Sequence, residues 1–412
     1  MIHHKINKRA SLQVLQFFAI GLGIFIIGGC KTTSNDTAPL QYGPIKHNFE
    51  GNVIIIGAGA AGLAAAYQLE KNDVDYTILE ATNHFGGRVQ KNDSFADFPI
   101  DLGAEWIHAD KNSLNHLIGL EGETPAQEVI FYSPQDTYTL SGDNLLKVPS
   151  FLLRLSSYIN PEYKFKNTTW FDYLERNFAN SVEHNIIYNS QVVSVDYSAN
   201  EIVVTTLDGE RFTADKVIST VSISVLKANN IAFIPSLPSK KIEAIQSVEF
   251  LPGFKLFLKF SNDFYADLIS IENDRGEKTY YDVAYGKDRN DNVFGLLSTG
   301  DTAESYYKLG SEQKIVDAVL KELDSIYEGA ASSSYLDEYL FKDWGRHEFT
   351  LGTWTSDNDQ NRIQSLNSSL NNRVYFSGET HDTGGAVSTV HGAIQSGYTT
   401  ANQVLNESTT KN

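Results

Sequence analysis

Cysteine is almost absent from this chain: its 412 residues contain one, Cys30. A single thiol forms no internal disulfide, and four-cysteine zinc sites and thiolate-held iron–sulfur clusters are excluded with it. Positive charge is also scarce, with 33 Lys and Arg against 51 Asp and Glu and a net charge of −18. A surface of that sign repels phosphates, so nucleic acid is not an expected partner. The N-terminal apolar run is short as well: Phe17 to Gly29 spans 13 residues, below the roughly 20 that a membrane-spanning helix needs. What is present suits a folded protein. The 41% hydrophobic, 12% aromatic and 20% charged fractions rule out global disorder or a collagen-like repeat. The length accommodates two or three domains of roughly 150 residues, and no internal repeat is visible.

The N terminus assigns a use to the lone cysteine. Lys5, Lys8 and Arg9 precede the apolar run, which closes in Ile27-Gly28-Gly29-Cys30. Basic start, apolar stretch and small residues are the order of a secretory signal. The closing residues resemble a bacterial lipoprotein lipobox, which implies that residues 1–29 are removed, that Cys30 is lipidated, and that the protein is exported to the cell envelope and held there by lipid. Residues 30–49 then read as a polar tether. The competing reading is an uncleaved anchor or a buried free thiol. Lys8-Arg9-Ala10-Ser11-Leu12 loosely resembles a twin-arginine export signal. Loss of residues 1–29 leaves 30 basic residues against 51 acidic, a balance of −21.

The chemistry begins at Val53-Ile54-Ile55-Ile56, a continuous β-branched run expected of a strand buried on both faces. Gly57-Ala58-Gly59-Ala60-Ala61-Gly62 follows at once, then the helix-forming stretch Leu63 to Glu70. Gly57 allows a tight turn, Gly59 lets the backbone approach a pyrophosphate, and Gly62 permits close helix–strand packing. Phosphate oxygens then lie at the positive end of the helix. A second strand, Tyr76 to Leu79, ends in Glu80, about 20 residues beyond the glycines, where an acid accepts from a ribose 2′-hydroxyl. Strand, glycines, helix, strand and acid in that order define a dinucleotide site, which FAD and NAD share.

Ala81-Thr82-Asn83-His84-Phe85-Gly86-Gly87-Arg88-Val89 and Asp101-Leu102-Gly103-Ala104-Glu105-Trp106-Ile107-His108 decide between them. Both segments resemble the flavin-dependent amine oxidases, the second in the form found in polyamine oxidases. Further matches are Val192-Val193, Val217 to Ser222 with Ser222 in place of the usual proline, Arg373 to Glu379, and Ser388-Thr389-Val390-His391-Gly392-Ala393. The resemblance implies an α/β fold: a Rossmann-like FAD-binding domain interleaved with an α+β substrate domain. FAD-binding segments are expected at 50–110, 185–235 and 340–406, and substrate segments at 111–184 and 236–339, with a helical cap around Phe151 to Leu155. Cofactor contacts are expected from Gly57, Gly59, Ala60, Ala61, Gly62, Glu80, Ala81, Gly87, Arg88, Val89, Gly103, Ala104, Glu105, Trp106, Val193, Trp344, Gly378, Glu379, Ser388, Thr389 and Val390. The histone demethylase branch is not expected, because its appended helical modules have no room here.

Glu249 to Phe260 alternates like a half-buried strand, with Lys255 and Lys259 on one side. Spacing does not separate the two lysines. The resemblance selects Lys255 as the catalytic lysine that holds a water beside flavin N5. The serine-threonine-x-histidine-glycine-alanine run is similar to that of animal spermine and N-acetylpolyamine oxidases. It puts Thr389, a candidate partner for a substrate amine, where monoamine oxidases carry an aromatic cage tyrosine. Phe349, in the tryptophan-led segment from Trp344, takes the opposite cage position, and core packing is its other reading. His108 is expected near the substrate entrance, with a hydrogen-bonded core histidine the alternative.

The implied reaction moves a hydride from the carbon beside an amine nitrogen to flavin N5. O2 reoxidises the flavin to give H2O2, and water hydrolyses the imine to an aldehyde. Polyamines are the favoured substrates. With no cysteine beyond residue 30, FAD is expected to be noncovalent. An L-amino-acid oxidase or flavin desaturase is the alternative on this fold, the former needing a carboxylate-binding arginine such as Arg154 or Arg346. A flavin-binding lipoprotein without turnover is the alternative of a different class.

Overall fold

The computed structural model describes residues 42–407, apart from 111, 120–126, 142–143, 272, 274 and 356–358. Cys30 and the apolar run before it, with their expected lipidation and removal, lie outside the described residues. The expected tether ends earlier than residue 49. Gly43 N donates to Gln68 Oε1 at 2.9 Å and Ile45 N to Asn72 Oδ1 at 2.7 Å, while Phe49 is buried in the core. Apolar side chains among the polar ones draw this stretch onto the first helix.

A parallel five-stranded sheet runs in the order Val374–Phe376, Lys216–Ser219, Asn52–Ile56, Asp75–Leu79, Ile186–Ile187. The central strand explains its unbroken apolar run: Val53 and Ile55 enter one core, Ile54 and Ile56 another. On the first face lie the helices Ala60–Glu70 and Val390–Asn406, which pack so closely that a Cβ at Gly397 would sit 2.3 Å from Ala61 O. The second face is covered by a four-stranded sheet, Arg211–Ala214, Ile202–Thr206, Val192–Asp196 and Ala232–Ile234.

The α+β part is a seven-stranded sheet ordered Tyr335–Asp343, Gly253–Phe260, Asn292–Thr299, Lys278–Asp282, Leu268–Ile271, Thr137–Ser141, Asn144–Lys147. The Gly253–Phe260 strand is buried on both faces rather than half-buried. Phe254, Leu256, Leu258 and Phe260 enter one core and Phe257 the other, so its alternation marks two interiors. Two segment limits differ from expectation. Tyr335–Asp343 crosses residue 340 as one strand paired to Gly253–Phe260, because a paired edge is not cut mid-strand. Trp170, Tyr173, Phe178 and Val182 join the core around the Ala60 helix, where their side chains find the apolar partners that the first sheet offers. The expected cap around Phe151 is a helix, Ser150–Ile159, with none of its residues buried.

Candidate active site

The glycine-rich turn closes as its spacing requires. Gly57 has φ +102°, and a Cβ at Gly62 would lie 2.0 Å from Gly57 O. Glu80 sits directly beneath: Oε2 accepts from Ala58 N at 2.7 Å, Oε1 from Thr82 N at 2.9 Å and Thr82 Oγ1 at 2.7 Å. A carboxylate has about four acceptor sites, so room remains for one further donor such as a ribose hydroxyl. Gly86 N donates to Ala58 O at 2.9 Å, drawing Ala81, Gly87 and Val89 against the turn. Val193 occupies a bulge in the pairing of Val192–Asp196 with Ile202–Thr206.

Three observations fit these residues to FAD. A side chain built at Gly59 would meet nothing within 4 Å. The helix that begins at Ala60 and Ala61 has no side-chain cap, so its first N–H groups are available to an anion. Glu379 Oε2 is buried without a partner, an acceptor that calls for a donor. Arg88 reaches Glu379 Oε1 at 3.4 Å and also donates to Thr353 O. Burial pushes the Glu379 carboxyl up, and Arg88 opposes it. Trp344 is buried and donates from Nε1 to Leu102 O at 2.8 Å, next to Gly103 and Ala104.

The C-terminal motif builds a helix start. Gly378 N donates to Ser396 Oγ at 3.2 Å. Ser388 has φ +72°, a strained value for a residue with a Cβ, and donates to Thr355 O. Thr389 caps the helix that starts at Val390: its hydroxyl accepts from Gly392 N at 3.0 Å and donates to Ala386 O at 2.7 Å. The expected hydrogen bond to an amine is therefore left a single lone pair, because capping uses one lone pair and Ala386 O takes the proton. Ser222 takes φ −53°, which proline also adopts, and adds a hydrogen bond to Thr350 O at 2.8 Å. The substitution thus keeps the backbone.

Lys255 and Lys259, inseparable by spacing, diverge in the fold. Lys259 pairs with Asp291 at 3.0 Å nearer the surface. Lys255 lies inside, 3% exposed, 2.7 Å from Glu105 Oε2 and 3.2 Å from Asp101 O. Glu105, expected among the cofactor contacts, has its carboxylate at the centre of a buried charge cluster. Its Oε1 lies 2.6 Å from Lys164 Nζ, and its Oε2 also accepts from Tyr281 Oη at 2.8 Å. Burial opposes the Glu105 charge, but Lys164 and Lys255 outweigh it and pull the carboxyl down to about 2. Asp101 has no such partner, so burial and the Glu105 charge push it up to about 8, while burial and Lys164 bring Lys287 down to about 8. The Trp106 ring lies 5.2 Å from Lys255 Nζ and 5.6 Å from Lys164 Nζ. Sequence reasoning missed Lys164, Tyr281 and Lys287. The available hint was Tyr163-Lys164-Phe165, a lysine set between aromatic residues on a strand.

A second polar group faces open space. The His108 side chain is 47% exposed and lies 3.0 Å from Glu162 Oε1. Burial works against its positive charge, yet Glu162, with Glu277 farther off, holds the imidazole above its ordinary value. The Glu277 carboxyl is pushed up by burial and by Glu162 while His108 opposes this, so the three groups lie within electrostatic reach of one another. Phe349 is half-buried, edge-on to His347 at 6.0 Å. His391, not singled out by the sequence, is buried with Nδ1 unpartnered and is pushed down to about 3 by burial and His108. Of the two candidate arginines, Arg154 is exposed on the Ser150–Ile159 helix, and Arg346 is exposed and stacked 3.9 Å from the Tyr307 ring.

A nucleotide turn, a buried lysine cluster and accessible carboxylates around a histidine are features of a flavin-dependent amine oxidoreductase. Residues 164–405 match the family model of flavin containing amine oxidoreductases, and the chain belongs to that family. Residues 55–119 match an NAD(P)-binding Rossmann-like domain. The chain is 26% identical over 434 residues to polyamine oxidase 4 of Oryza sativa subsp. japonica, covering 85% of this chain and 88% of that protein. Polyamine oxidase 1 of Zea mays is 23% identical over 469 residues, with 89% and 92% covered. Lysine-specific histone demethylase 1 homolog 1 of Oryza sativa subsp. japonica is 30% identical over 233 residues, 53% of this chain and 27% of that protein. FAD is the cofactor.

Proposed function

We propose that this protein oxidises polyamines, with noncovalently held FAD and O2 as the final oxidant, yielding H2O2, an aldehyde and a shorter amine. The observation that carries the substrate class is the accessible pairing of His108 with Glu162, with Glu277 within electrostatic reach. Carboxylates there attract a substrate with several ammonium groups. The outward positions of Arg154 and Arg346 weigh against an amino-acid oxidase, which must bury a carboxylate partner.

Bound FAD supplies the two-electron acceptor for oxidation of a carbon beside an amine nitrogen. Gly57 to Gly62 and Glu80 would hold its nucleotide end, and Arg88, Trp344 and the Ser388 to Val390 turn the other. Lys255 would hold the water that attacks the oxidised amine. Trp106 and Phe349 exclude solvent and favour the uncharged amine, whose deprotonation from a pKa near 10.4 otherwise costs about 4–5 kcal/mol at neutral pH.

The test is anaerobic addition of spermine, spermidine, N-acetylated polyamines, monoamines and amino acids to the purified flavoprotein. Bleaching by polyamines is expected; bleaching by amino acids alone would replace this reading. The same proposal places the protein at the bacterial cell envelope, tethered through lipid on Cys30. Cys30→Ser is then expected to release it from the membrane fraction, and unchanged fractionation would argue against the anchor.

A further inference from the structure

Lys164 belongs to no motif, yet it is among the most deeply buried charges described, 2% exposed and 2.6 Å from Glu105 Oε1. Burying a charge is costly unless it is paired and hydrogen-bonded, and the Tyr163–Phe165 strand would accept an apolar residue at that position more cheaply. The pairing also has a direction. Glu105 spends Oε1 on Lys164 and turns Oε2 to Lys255 at 2.7 Å and Tyr281 Oη at 2.8 Å. Lys255 then uses one N–H on Glu105 and one on Asp101 O at 3.2 Å, which leaves its third. Two lysines around one carboxylate leave the trio with a net positive charge. Asp101, also buried here, holds its proton to about pH 8 and so adds no negative charge at neutral pH.

We infer that Lys164 is a positioning residue for Lys255: by fixing Oε1 of Glu105 it aims Oε2 and holds Lys255 in one orientation with one N–H free. The inference rests on Lys255 lying beside the flavin. A cation there favours the reduced, more negative flavin, so the potential of bound FAD reports on the cluster without any turnover.

The experiment measures the FAD midpoint potential and visible spectrum, by dye equilibration, for the FAD-loaded full-length protein and its Lys255→Met, Lys164→Met, doubly substituted and Glu105→Asp variants. The expected result is a shift to more negative potential in both single lysine variants, with the double variant close to Lys255→Met alone, since Lys164 acts through Lys255. Glu105→Asp keeps the charge but shortens the reach between the two lysines, and it is expected to shift in the same sense. It carries the test if Lys164→Met does not fold. A wild-type potential in Lys164→Met or, failing that variant, in Glu105→Asp, alongside a shifted Lys255→Met, overturns the positioning role. So do lysine shifts that add in full. If Lys255→Met itself leaves potential and spectrum unchanged, the placement of Lys255 beside the flavin fails first.

Discussion

The nucleotide turn and the buried lysine cluster are two ways of building a charged site. The turn lies within 30 residues, from Val53 to Glu80, and its polar groups are mostly backbone. The cluster draws Asp101, Glu105, Lys164, Lys255 and Tyr281 from well-separated stretches, and its polar groups are mostly side chains. Backbone sites tolerate side-chain change except where space is exhausted; side-chain sites depend on every partner's charge.

Gly62→Val should break the first region most severely. A Cβ 2.0 Å from Gly57 O has nowhere to move, and a cost of about 3 kcal/mol or more is expected. The variant should lack both FAD absorbance and the wild-type melting transition. Glu80→Ala removes the acceptor beneath the turn, so FAD should be lost on dialysis; full occupancy would argue against the ribose contact.

In the cluster, Asp101 holds its proton to about pH 8 when folded but only to about pH 3.9 when unfolded. The folded state therefore binds more protons between those values, and stability falls as pH rises through that window. Asp101→Asn keeps an acceptor for Trp170 N and has no proton to lose. Its melting temperature should exceed wild type by more at pH 8 than at pH 4; a constant difference would contradict the shift. The smallest effect is at His108. His108 is held above its ordinary value by Glu162, so their pairing stabilises below about pH 6.5 and fades as pH rises through the folded value. At half exposure it is worth about 0.2–1 kcal/mol. Glu162→Gln should lower the melting temperature slightly at pH 5.5 and not at pH 8.5.

The same contrast explains what could be read in advance. Gly57, Gly62 and Glu80 were legible because the turn dictates residue type at fixed spacing. Lys255 could be separated from Lys259 only by resemblance, since both share a strand face and their difference lies in what faces them, Glu105 or Asp291. Glu105 was placed with the cofactor because its neighbours Gly103, Ala104 and Trp106 belong to that motif. Its carboxylate is claimed by Lys164, 59 residues away in sequence, which no local pattern reports. Thr389 was read as a substrate contact from its place in the motif, and its second role, capping the helix that starts at Val390, depends on backbone geometry that the motif does not spell out.

The most direct test of the account is anaerobic rapid mixing of spermine with the FAD-loaded wild type and Lys255→Met. Flavin absorbance should bleach in both, more slowly in the variant by roughly tenfold or more, because losing the Lys255 cation leaves the flavin a weaker electron acceptor. Equal rates, or no bleaching of the wild type, would contradict it.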